Sequence, residues 1–170
     1  MNNKTDLRTK SKTIRKTLPM HEISTKLTER IRQHPFYVNA KNVMIFYPTK
    51  YEVNLLGLLS DNKKFFLPKV KAETLKVCPY AYDEKLEKSS FNILEPCSNP
   101  VEPSVLDLVI VPALMADRKG YRLGYGGGFY DRFLAGNSGF KTITAIPTEL
   151  VVDELPIDKF DKKIDVIISA

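Results

Sequence analysis

Five of the chain's eight glycines fall between Gly120 and Gly128, inside Gly120-Tyr-Arg-Leu-Gly-Tyr-Gly-Gly-Gly-Phe-Tyr-Asp-Arg132. Glycine enters positive φ without steric penalty but loses the most conformational freedom on folding, so such a cluster marks a backbone path that other residues resist. It also leaves bare amides that a ligand can approach. Upstream, Leu106-Asp-Leu-Val-Ile-Val111 is a short apolar run closed by Pro112, the pattern of a buried strand; downstream, Phe129 to Leu134 begins a helix. The expected order is strand, glycine loop, helix. Unpaired amides at the start of such a helix, with the positive end of its dipole, form an anion site whose commonest occupant is phosphate, and Arg122 and Arg132 flank it. Neither common phosphate pattern is present: there is no Gly-x-x-x-x-Gly-Lys-Ser/Thr, and Gly124-Tyr-Gly126-Gly-Gly-Phe129 lacks the last glycine of the dinucleotide fingerprint. A tight turn or a flexible surface loop is the competing reading, opposed by the regular interleaving of aromatic and arginine residues.

The remaining sequence alternates strand and helix signals. Leu7, Ser11, Ile14 and Leu18, then Ile23, Leu27 and Ile31 as far as His34-Pro35, predict two amphipathic helices. Val43 to Tyr47 reads as a strand ending at Pro48, Val53 to Leu59 as an apolar helix, and Lys64 to Leu67 as a second strand, which together make a βαβ unit with parallel pairing. Leu75 to Tyr82 and Ser90 to Leu94 read as short strands joined by a charged turn, before an irregular linker at Pro96, Pro100 and Pro103. Lys141 to Ile146 and Ile164 to Ile168 supply the last strands. This predicts an α/β sheet with helices on both faces and ligands beyond the carboxyl ends of its strands. Tyr47, Glu52 and Asp117 follow strand ends and so belong near that edge.

Composition narrows the partners. A 170-residue chain with 43% apolar and 27% charged residues suits one domain, residues 1–170, with a sizeable core. Its net charge of +6 is concentrated early, where Lys4, Arg8, Lys10, Lys12, Arg15 and Lys16 face only Asp6. Anionic ligands suit that balance, but no recognition helix or aromatic platform accompanies it, so nucleic acid is not the expected partner. Cys78 and Cys97, with His21 and His34, lack zinc spacing and read as structural residues. The start Met1-Asn-Asn-Lys-Thr-Asp6 has no apolar signal region, and no run approaches the roughly 18 apolar residues of a membrane span. A cytoplasmic monomer without membrane contact is expected.

Asp131, at the start of the loop's helix, suits either plain stabilisation of the helix end or magnesium, which takes one or two carboxylates beside phosphate oxygens. Taken alone, Asp161 is a solvated residue in Asp158-Lys-Phe-Asp-Lys-Lys163, and Glu52 a good helix starter.

Arg122-Leu-Gly-Tyr-Gly-Gly-Gly-Phe-Tyr-Asp-Arg132 resembles the signature of the 5-formyltetrahydrofolate cyclo-ligase family, also called 5,10-methenyltetrahydrofolate synthetases. The likeness extends to Lys4-Thr-Asp-Leu-Arg8, Ile45 to Val53, Val109 to Asp117, Asp153-Glu-Leu-Pro156 and Phe160-Asp161. It implies a three-layer α/β/α domain with a mostly parallel sheet, similar to the NagB/RpiA/CoA-transferase-like fold. It also implies ATP- and Mg²⁺-dependent closure of 5-formyltetrahydrofolate to the methenyl compound. By the resemblance, Lys4, Arg8 and the loop Arg122, Leu123, Gly124, Tyr125, Gly126, Gly127, Gly128, Phe129 and Tyr130 contact ATP, with Arg122 and Arg132 acting on the transferred phosphate. Tyr47, Glu52 and Tyr125 to Phe129 contact the folate, and Asp131 and Asp161 hold Mg²⁺. A nucleotide- or folate-binding relative without the ligase step is the alternative. Three positions depart from the family pattern: Ala116 where an aromatic is usual, Leu150 where glutamine is common, and Phe160 where histidine often precedes the aspartate. Leucine can only pack where glutamine donates and accepts, so Leu150 is expected to alter the folate pocket.

Overall fold

The computed structural model describes residues 3–170, so the first two residues of the expected 1–170 domain lie outside it. Helix α1 (Lys4–Arg15) opens where the Asn3 side chain accepts from Asp6 N at 2.9 Å, an N-cap that satisfies one free amide. Helix α2 (Met20–Gln33) buries Ile23, Leu27 and Ile31 on one face. It stops before Pro35, whose fixed φ instead starts the short α3 (Pro35–Asn39).

The strands in chain order are β1 (Asn42–Met44), β2 (Lys64–Lys71), β3 (Thr74–Tyr80), β4 (Leu86–Lys88), β5 (Leu94–Pro96), β6 (Leu108–Ile110), β7 (Met115–Asp117), β8 (Arg122–Leu123), β9 (Lys141–Ile146), β10 (Val151–Val152) and β11 (Val166–Ser169), with α4 (Phe129–Gly136) between β8 and β9. In the central sheet β11, β9, β6, β1 and β2 lie side by side, all parallel, and β3 closes one edge antiparallel to β2. Period-two alternation sorts their side chains. Val43, Ile45, Leu67, Leu108 and Ile110 pack under α2, whereas Met44, Phe66, Val109 and Val111 face the opposite layer with Phe133 of α4. The expected mostly parallel sheet with helices on both faces is therefore present.

From β1 the chain moves one way to β2 and later returns to place β6 on the other side of β1. Such a reversal opens a crevice beyond the carboxyl ends of the two strands.

Three expectations require correction. The glycine loop does not follow β6 directly, because the antiparallel pair β7–β8 intervenes and joins β10 in a second small sheet. Strands of two or three residues are too short to show a period. The apolar run from Val53 to Leu59 forms only a 3-10 turn at Leu56–Ser60. Gly57 interrupts it at a cost of about 1 kcal/mol in a helix interior, and the Asn54 side chain captures Leu56 N at 3.0 Å. Finally, Leu75 to Tyr82 does not pair with Ser90 to Leu94: β3 forms a hairpin with β2, while β4 pairs with β5. The β2–β3 connection, Ala72-Glu73, contains no glycine although Ala72 sits at φ 54°, so the usual turn signal is missing.

Candidate active site

The crevice at the reversal widens into a cavity of about 980 Å³. Tyr47, just beyond β1, and Pro112, just beyond β6, border it, and the glycine loop forms one wall. Every residue that the family resemblance assigns to ATP, folate or magnesium lines this one space: Lys4, Arg8, Tyr47, Glu52, the whole of Arg122 to Arg132, and Asp161.

The glycines are set by arginines. A Cβ on Gly124 would lie 2.7 Å from Arg122 Nη1, one on Gly126 3.5 Å from Arg8 Cζ, and one on Gly128 2.7 Å from Arg132 Nη1. Gly126 and Gly128 also hold φ of 110° and 70°, where a side chain is strained. Bare backbone at Gly124 and Gly128 thus lets the Arg122 and Arg132 guanidinium groups close on the loop, while Gly126 is required by its φ and leaves Arg8 in ordinary contact. Arg8 donates from Nε to Gly124 O at 2.8 Å, fastening α1 to the loop, and Arg132 donates from Nε to Glu73 O at 2.9 Å.

Arg122 differs from the other two. Its side chain is only 3% exposed, its Nε is buried without a hydrogen-bond partner among the described residues, and Asp131 Oδ1 is 3.7 Å from Nη2. Burial pulls its pKa below the ordinary arginine value, against the opposing charge of Asp131. A buried cation with so little compensation is poised for an anion that enters from the cavity.

The acidic side of the cavity comes from the C-terminal segment. Lys4 Nζ donates to Asp158 Oδ2 at 2.8 Å and to Asp161 Oδ2 at 2.6 Å. Burial works against the Lys4 ammonium, but these bonds leave its pKa above the ordinary lysine value, and the same contact lowers that of Asp158. Asp131 Oδ1 accepts from Lys162 N at 3.1 Å. Opposite, Glu52 Oε1 accepts from Thr49 N at 2.9 Å. Tyr125 is 47% exposed, yet burial of its hydroxyl end and the charge of Glu52 raise its pKa; the same two causes act on Tyr130.

The family model for 5-formyltetrahydrofolate cyclo-ligases matches residues 1–170. The chain belongs to the 5-formyltetrahydrofolate cyclo-ligase family. A Haemophilus influenzae protein named 5-formyltetrahydrofolate cyclo-ligase is 28% identical over 159 residues, 85% of this chain and 83% of that one. A Mus musculus protein of the same name is 28% identical over 161 residues, covering 84% and 79%. The solution structure of Aquifex aeolicus 5,10-methenyltetrahydrofolate synthetase superposes with a TM-score of 0.85 at 30% identity, over 98% of this chain and 89% of that one. The Mycoplasma pneumoniae 5,10-methenyltetrahydrofolate synthetase shares the fold, with a TM-score of 0.76 at 21% identity over 97% of both chains.

The three departures from the cyclo-ligase pattern now separate. Ala116 and Leu150 are fully buried in the cluster that packs α1 on the small sheet, and neither borders the cavity, so the expected effect of Leu150 on the folate pocket is corrected: it fills core. Phe160 does line the cavity. Asp117 is another correction, because its buried carboxylate turns away from the cavity and accepts from Lys119 N and Tyr121 N at 2.9 Å and from Leu155 N at 3.0 Å. It braces the turn before Arg122 against the C-terminal segment.

Other cavity residues gave little local signal. Phe91, Ile93 and Glu95 arrive on the β4–β5 ribbon, and the one clue was two large apolar side chains in a polar, proline-bounded stretch. In sequence Arg15 is one member of a basic run. It is instead buried behind the site, donating to the carbonyls of Tyr51, Ala113 and Leu114.

Proposed function

We propose that this chain converts 5-formyltetrahydrofolate to 5,10-methenyltetrahydrofolate at the expense of ATP, with Mg²⁺, releasing ADP and phosphate. The observation that carries the reading is the buried, weakly paired Arg122 guanidinium pressed against Gly124 in the wall of the cavity. Single-ligand pockets span roughly 300–1,000 Å³, and this space stands at the upper end.

In this scheme the formyl oxygen on N5 takes the γ-phosphoryl group and ADP leaves. N10 then attacks the activated carbon and loses its proton, and the carbon–oxygen bond breaks to release phosphate. Phosphoryl transfer needs positioning and neutralisation of spread negative charge rather than a protein nucleophile. Lys4, Arg8 and the loop from Arg122 to Tyr130 hold the nucleotide. Arg122 and Arg132 stabilise charge on the group in flight, where fixed donors act most strongly. Tyr47, Glu52 and the loop face from Tyr125 to Phe129 hold the folate, so the glycine loop is a wall shared by both substrates.

Asp131 and Asp161 suit Mg²⁺. They are hard oxygen donors on one cavity, and Asp131 Oδ2 and Asp161 Oδ1 make no hydrogen bond among the described residues. Among the described residues no group of three or more His, Cys, Asp or Glu side chains could hold a metal ion, which agrees with an ion that completes its shell on phosphate and water. When bound, Mg²⁺ neutralises phosphate charge during transfer.

Among the described residues no helix is long and apolar enough to cross a membrane, and Cys78 and Cys97 are unpaired thiols of the kind that persist in reducing compartments. We accordingly place this reaction in the cytoplasm, carried out by a monomer in which residues 1–170 act as one domain. Purified protein mixed with 5-formyltetrahydrofolate, ATP and Mg²⁺ is expected to generate the methenyl absorbance only when all three are present. No ATP-dependent signal overturns the reading, and folate binding without turnover returns the binding-only alternative.

A further inference from the structure

Glu95, on β5, is the buried carboxylate of the cavity wall that the scheme above leaves unused. It is 7% exposed, and its one hydrogen bond among the described residues is from Val70 N to Oε1 at 3.0 Å. It joins no ion pair among the described residues. Its neighbours on the wall are apolar: Pro68, Val70, Leu75, Ile93 and Leu94. A carboxylate accepts at two oxygens and donates at none, and burying its charge is costly unless donors meet it. The backbone supplies one donor to Oε1, which leaves Oε2 and the second lone pair of Oε1 for a ligand.

The character of that ligand follows from the wall. The basic residues that suit phosphates cluster at the glycine loop and α1. The apolar side instead offers Phe91 and Phe129, whose rings meet edge to face with centroids 5.9 Å apart. A flat heterocycle can pack there, and a carboxylate at the rim of such a surface selects one with adjacent N–H donors, because a bidentate, charge-assisted pair is strongest in a dry site.

We propose that Glu95 is a specificity residue of the folate site, accepting from the 2-amino group and neighbouring ring N–H of the substrate's pyrimidinone edge. This rests on the functional reading above and adds to it a second carboxylate beside Glu52, on a different wall. The Val70 bond fixes Oε1 and so aims Oε2.

Glu95→Gln keeps the side-chain volume and an acceptor for Val70 N while removing the charge and one acceptor. The expected result is a rise in folate KM of roughly tenfold or more, the scale of one charged hydrogen bond, with ATP KM and melting temperature unchanged. An analogue with hydrogen in place of the 2-amino group supplies a second readout. The wild-type protein should discriminate strongly against it, and Glu95→Gln should lose most of that discrimination. If the wild-type protein turns over 5-formyltetrahydrofolate but binds the analogue equally well, or if the variant keeps its folate KM, Glu95 is structural and this inference alone falls. If wild-type turnover is absent, the functional reading falls and takes this inference with it.

Discussion

Arg122→Met should move stability and catalysis in opposite directions. The substitution removes the charge and keeps much of the side-chain volume. In the free protein that charge is nearly desolvated, with the Arg122 side chain 3% exposed, Asp131 Oδ1 at 3.7 Å, and the Tyr130 ring centroid 5.6 Å from Cζ as its compensation. Taking an ion out of water costs several kcal/mol that Arg122→Met recovers, and the partner left behind is not stranded as a buried charge, because Asp131 is 22% exposed and keeps its bond from Lys162 N. For a domain of this length each kcal/mol corresponds to about 2–4 °C, so the variant should melt at the wild-type temperature or higher by about 2 °C or more. Turnover should fall by roughly 10²–10³, the usual loss when one preorganised transition-state donor is removed. A thermal melt beside a kcat measurement of methenyl formation reads both quantities. A variant that melts several degrees lower, or that keeps near wild-type turnover, would refute the reasoning, because Arg122 would then be holding the fold rather than waiting for phosphate.

Gly124→Ala places a Cβ 2.7 Å from Arg122 Nη1, so the guanidinium must move; the clash is with a side-chain tip, and kcat should fall by up to roughly 10² with little change in melting temperature. An unchanged kcat would mean that the position of Arg122 is not critical. Asp131→Asn should raise the Mg²⁺ concentration needed for half-maximal rate, whereas a role limited to the helix end would lower stability by only about 0.3–1 kcal/mol and leave the Mg²⁺ titration unmoved. Leu150→Gln, at a position 0% exposed and away from the cavity, should destabilise by about 1–3 kcal/mol through an unsatisfied buried amide and leave folate KM unchanged; an altered KM would return that position to the substrate pocket.

What the sequence made legible was governed by local rules. The glycine cluster, the α4 start at Phe129 and the first two helices depend on φ preferences and on a 3.6-residue period, both of which a single chain displays. The alternation of Val43, Met44 and Ile45 between two cores reflects a strand buried on both faces, which is why that segment read as a continuous apolar run. What stayed hidden was long-range. Nothing near Arg15 in sequence shows that it reaches carbonyls some hundred residues away at Ala113 and Leu114. The β2–β3 hairpin turns on Ala72 and Glu73 rather than glycine, and β7 and β8 are too short to carry a period. The burial of Leu150 and Ala116 likewise depends on α1 and the small sheet packing over them. The family pattern alone made Leu150 look like a pocket residue.

The most direct test of ATP-driven activation at the formyl oxygen follows that oxygen through the reaction. Substrate labelled with ¹⁸O in the formyl group should yield methenyltetrahydrofolate free of label and inorganic phosphate carrying one ¹⁸O per turnover. Phosphate without label, alongside methenyl product, would contradict phosphorylation of the formyl oxygen and with it the role assigned to the arginines around the glycine loop.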